Sequence, residues 1–66
     1  MKQQQLIEIL EPLVDDATAS GVLLALACVC YEKAEHIRCN WQDEATAKHW
    51  DRLGKSIAKV TEKTSL

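Results

Sequence analysis

The sequence predicts an all-α fold: a long antiparallel helical hairpin with a shorter N-terminal helix, a three-helix arrangement completed by oligomerisation into a helical bundle. Three observations point there. Apolar residues recur at spacings of three and four along most of the chain, the period of an amphipathic helix. Two glycines, one proline and 47% apolar residues mark an ordered chain, with disorder expected only at the ends. And 66 residues make one domain, residues 1–66, of a size that buries only about 60% of its unfolded surface and so needs a disulfide, a metal or a partner.

The first helix is expected over about residues 3–14, where Leu6, Ile9, Leu10 and Leu13 share a face. Pro12 lacks a backbone donor and crowds the preceding turn, so a kink or an end is expected near Glu11. Asp15, Asp16, Thr18 and Ser20 are all capping residues, and a second helix starts among them, running from about 18 to 39. Its core face is read as Val22, Leu23, Leu26, Val29, Cys30 and Ile37. Leu24, Cys28 and Tyr31 form a separate apolar stripe, which makes them the candidate oligomer interface. The competing cover for that stripe is the first helix folding back over it.

Asn40 to Asp43 reads as a loop, short enough to force the next helix antiparallel. The third helix is expected over about 43–62, with Trp50, Leu53, Ile57 and Val60 facing the second and Gly54 allowing close approach. The tail from Lys63 to Leu66 is expected to fray.

Charge narrows the function classes. The net charge is −2, with both signs interspersed, which disfavours a strongly basic nucleic-acid binder. Lys48, Arg52, Lys55 and Lys59 nevertheless line one stripe of the third helix. Trp41 in the loop is expected first to pack over the end of the hairpin core; standing exposed instead, it joins these residues as a candidate partner-contact surface. The stripe carries the alternative reading of nucleic-acid binding. Glu44 and Asp51 stand four residues before Lys48 and Lys55, so the stripe is expected to be held by these pairs.

Chemistry is thin. Three cysteines give no disulfide framework; Cys28 and Cys30 point apart on one helix and read as small buried hydrophobes. His36, Cys39 and His49 lack the paired spacing of structural zinc. Glu35 and His36 are adjacent, not three apart as in di-iron bundles, so Glu32, Glu35 and His36 make no ligand set. No nucleophile–base set or phosphate loop is present, so neither an enzyme nor a cofactor is expected. The longest unbroken apolar run, Val22 to Tyr31, is ten residues against the roughly 20 of a membrane span, and reads as a buried core helix. The N-terminus has no signal-peptide pattern, which leaves the cytoplasm and no membrane as the expectation. The resulting expectation is a small cytosolic interaction or regulatory module, partnered by itself and by another protein.

Overall fold

The structure, a computed structural model, describes residues 1–66. It is all-helical. Helix α1 spans Gln3–Asn40 and helix α2 spans Glu44–Lys63, and the two pack against each other as a hairpin. The chain thus forms two helices, not three. The expected segments 3–14 and 18–39 merge because Pro12 does not end the first one. It has no N–H to give the Glu8 carbonyl, yet the helix runs on to a single non-helical residue, Thr18. We refer to residues 3–17 as the arm of α1 and to residues 19–40 as its hairpin segment.

Thr18 has φ 66° and ψ 161°, a region that glycine alone occupies without strain. Local bonds hold it there. Its Oγ1 accepts from Gly21 N at 3.1 Å, capping the hairpin segment. Ala19 N and Ser20 N both donate to the main-chain oxygen of Leu66, at 3.1 and 3.4 Å. Ser20 Oγ donates to the Thr64 carbonyl at 3.1 Å. The first free donors of the hairpin segment are therefore all satisfied. Residues 64–66 lie beyond the end of the last helix, and Thr64 and Leu66 supply the acceptors.

The other end is closed more conventionally. Asp43 caps α2 by accepting from Thr46 N at 3.1 Å and from Thr46 Oγ1 at 2.7 Å. Gln42 takes the positive φ of 52° that the tight turn requires.

The seam between the helices is built from small residues. Ala27, Cys30 and Ala34 on α1 meet Ala47 and Gly54 on α2, and these five are the only buried residues of 66. Gly54 allows a close approach, as its sequence context suggested: a Cβ placed there would lie 2.8 Å from Tyr31 Cε1. The expected core of large residues is corrected accordingly. Leu26, Val29, Leu53 and Val60 are exposed, and Val22, Leu23, Ile37, Trp50 and Ile57 are half-buried. Small side chains let the axes approach, which pushes large neighbours to the flanks. Val22 to Tyr31 is likewise no buried core helix, since only Ala27 and Cys30 within it are buried. Cys28, expected to be buried with Cys30, is exposed.

Candidate interaction surface

The arm is amphipathic and uncovered. At about 100° per residue, Leu6, Ile7, Ile9, Leu10, Leu13 and Val14 fall within an arc of about 160°. Glu8 and Asp15 lie opposite, Glu11 and Asp16 border the apolar arc, and residues 3–17 contain no basic side chain. All six apolar residues are exposed, and Ile7, Leu10, Glu11, Val14 and Asp15 line an open groove of about 290 Å³. The arm does not fold back over the hairpin.

The buried seam fixes which residues share each face of the hairpin. Counting helical phase from it puts Val22, Leu26 and Val29 of α1 on the same side as Trp50, Leu53, Ile57 and Val60 of α2. This face is mostly apolar, with Leu53 48% and Val60 54% exposed, and is interrupted by Lys33 on α1, one turn beyond Val29, and bordered by His49 on α2. The opposite face carries Leu24, Cys28 and Tyr31 on α1 beside Lys48, Lys55 and Lys59 on α2. Arg38, Glu44 and Asp51 belong to this second face, and their ion pairs fit that assignment.

Within the stripe expected to form an interface, Leu24 is 53% exposed and Cys28 is exposed. Tyr31 is different, because its ring lies over Gly54 of α2. The three do not form one uniformly free stripe, since Tyr31 already contributes to the hairpin. Trp41 stands 73% exposed at the turn. Lys48, Arg52, Lys55 and Lys59 are exposed, and none forms an ion pair.

The acids expected to pair with that stripe are taken by Arg38. Its Nε donates to Glu44 at 3.0 and 3.2 Å, and its Nη2 donates to Asp51 at 2.9 Å. Glu35 approaches at 3.7 Å. These bonds hold the guanidinium above its ordinary pKa and pull the Glu44 carboxyl below its own. The hydroxyl and backbone bonds from Thr46 lower Asp43 in the same way. Arg38 thus clamps the last turn of α1 to the first two turns of α2. Sequence spacing missed it, because helical i,i+4 pairs were the nearer explanation for Glu44 and Asp51.

Three of the residues weighed for metal chemistry, Glu35, His36 and Cys39, have other partners. Cys39 Sγ donates to Glu35 Oε1 at 3.3 Å, and that carboxylate pushes the thiol above its ordinary pKa. Asn40 Nδ2 meets His36 Nδ1 at 3.1 Å and donates to the His36 carbonyl at 3.0 Å. No three His, Cys, Asp or Glu side chains converge as a metal site would need. Val29, Glu32, Lys33 and His36 line a second open groove of about 340 Å³ on the outer side of α1.

Two global measures express how open the molecule is. A compact chain of this mass has an accessible surface of about 4,200 Å²; this one has 5263 Å². A compact 66-residue domain has a radius of gyration of about 11 Å; here it is 13.5 Å, in a body of 37 × 29 × 15 Å. Comparison of the chain with protein-family models, curated proteins and solved structures gave no match.

Proposed function

We propose that the protein is a small protein-interaction module that works through the apolar surface of the arm and of the hairpin, with no catalytic role. One observation carries the reading: Leu6, Ile7, Ile9, Leu10, Leu13 and Val14 of the arm and Leu26, Val29, Leu53 and Val60 of the hairpin are exposed, in a chain with roughly 1,000 Å² more surface than a compact one of its mass. Monomeric soluble proteins keep such patches to a few hundred Å². The arm is the recognition element, since an amphipathic helix laid in a groove is a common mode of helical recognition.

We place the module in the cytoplasm. Helix α1 is long and apolar enough, by length and composition, to cross a membrane, with a mean hydropathy of 1.7 over its most apolar 18 residues. Against that reading, the uncharged run from Ala17 to Tyr31 is fifteen residues. At 1.5 Å per residue it spans about 22 Å, short of the roughly 30 Å of hydrocarbon. The Thr18 break falls inside it.

The test is a tagged chain used as bait beside a Leu10→Glu, Leu13→Glu variant. A protein, including the chain itself, should co-purify with wild type and be lost with the variant. If nothing associates with either, the reading fails.

A second reading, nucleic-acid binding, is favoured by one observation. Arg38 occupies Glu44 and Asp51, which leaves Lys48, Arg52, Lys55 and Lys59 without acid partners. The net charge of −2 and the acidic arm weigh against it. Binding to DNA or RNA that weakens steeply with salt would promote it.

A further inference from the structure

We infer that the occupant of the apolar hairpin face is the arm of a second copy of this chain, exchanged reciprocally in a two-fold dimer. This rests on the reading of the protein as an interaction module and names its partner.

The argument starts from two uncovered surfaces that match in kind. A helix with a narrow apolar stripe of about 100° can be covered by one neighbour. The arm's arc of about 160° needs two side by side. The face formed by Val22, Leu26 and Val29 with Leu53, Ile57 and Val60 offers two parallel ridges of that sort. The arm's apolar stretch from Leu6 to Val14 is about 12 Å long, and the α2 side of the face, Trp50 to Val60, is about 15 Å, so the helix fits along it.

The arm does not reach its own face. Antiparallel helices are joined by loops of about two to five residues, whereas one non-helical residue, Thr18, separates the arm from the hairpin segment. The bonds from Ala19 and Ser20 to Leu66, and from Gly21 to Thr18, hold that hinge in place. With intramolecular closure blocked, a second copy satisfies both surfaces at once, and a two-fold axis makes the contact self-complementary.

The areas agree. A standard interface covers about 800 Å² per partner, and each chain carries an excess of roughly 1,000 Å² over a compact molecule of its mass. Direct pairing of two hairpin faces would leave both arms in water. A lipid surface suits the arm poorly, because helices that lie on membranes carry Lys and Arg on their polar side, whereas this one carries Glu8, Glu11, Asp15 and Asp16.

The experiment uses full-length chains and two double variants. One carries Leu10→Glu and Leu13→Glu in the arm; the other carries Leu53→Glu and Val60→Glu on the face. These positions are exposed in the single chain, so circular dichroism should report helix content close to wild type for both. Wild type should scatter light at twice the chain mass of 7.4 kDa. Each variant alone should be monomeric, because both of its contacts pair one altered surface with one intact one. An equimolar mixture should recover a dimer, since it contains one arm–face contact with neither element altered. Three results overturn the inference: a monomeric wild type, an arm variant that stays dimeric, or a mixture that stays monomeric throughout the micromolar range. A monomeric wild type that binds liposomes or another protein through Leu10 and Leu13 removes the dimer and leaves the interaction surface standing. Loss of every association fails both.

Discussion

Thr18 carries the sharpest local conflict in the chain. A β-branched residue at φ 66° and ψ 161° costs on the order of 1–3 kcal/mol. Its hydroxyl recovers part of that by capping Gly21. Two substitutions separate these effects. Thr18→Val keeps the strain and removes the cap, so it should destabilise by about 0.5–2 kcal/mol. Thr18→Gly removes both, and since glycine loses only a few tenths as a cap, it should be neutral or stabilising in urea unfolding. A Thr18→Gly variant that unfolds more easily than Thr18→Val would show that the hinge is not strained. Arg38 sets a second local prediction. Glu44 and Asp43 have carboxyls held below their ordinary values, so their contribution is complete above those values and is lost as pH falls through the depressed ones. In Arg38→Gln the Glu44 share is absent at every pH. The melting temperatures of wild type and Arg38→Gln should therefore differ at pH 7 and converge as pH falls below the ordinary carboxylate range and through the depressed Glu44 value. Parallel curves from neutral to acid would show that the clamp does not act through the Glu44 charge.

Between the helices, Gly54 and Tyr31 decide how closely the axes approach. Gly54→Ala gains up to about 1 kcal/mol of helix propensity, but its Cβ meets the tyrosine ring at 2.8 Å, and overpacking typically costs about 1–3 kcal/mol. The substitution should be neutral or destabilising in wild type and stabilising in a Tyr31→Ala background. Additive effects in that double-mutant cycle would mean the ring and Gly54 do not oppose each other. This seam also marks what the sequence disclosed and what it did not. The loop around Asn40 to Asp43, the extent of α2 and the role of Gly54 were legible, because capping residues and glycine act locally. The rotation of the helices was not. A stripe such as Leu26, Val29, Leu53 and Val60 says which side of a helix is apolar, not which side lies nearest its neighbour. Ala27, Ala34 and Ala47 won that position because they are small. The hinge was legible, since Thr18 stood among the capping residues and a helix was expected from about 18. What local sequence did not reveal is that the first segment runs through Pro12 to reach it, to where Leu66 accepts from Ala19 and Ser20. Among the interface candidates, Leu24 and Cys28 are exposed and Tyr31 is engaged with α2, a division that spacing alone does not reveal.

A molecule with five buried residues out of 66 has little of its stability within one chain, and that has a measurable consequence. If the arm-exchanged dimer supplies the missing burial, unfolding is coupled to dissociation and apparent stability depends on protein concentration. The midpoint of thermal unfolding should rise over a roughly hundredfold increase in concentration. Leu53 then reports the same coupling at one position. In the single chain its side chain is 48% exposed, so Leu53→Ala removes about half of a full burial, on the order of 1 kcal/mol. Beneath a partner's arm the same truncation leaves a cavity and should cost about 2–5 kcal/mol. The destabilisation by Leu53→Ala should therefore grow with concentration, small in dilute solution and large where wild type is dimeric. A substitution on the other face, Leu24→Ala, removes a side chain of similar exposure that the exchanged arm does not cover, and its cost should stay constant over the same range. Urea unfolding of the three proteins at both ends of that range makes the comparison. Equal concentration dependence for Leu24→Ala and Leu53→Ala would place the contact elsewhere, and a midpoint independent of concentration in wild type would return the hairpin to a monomer.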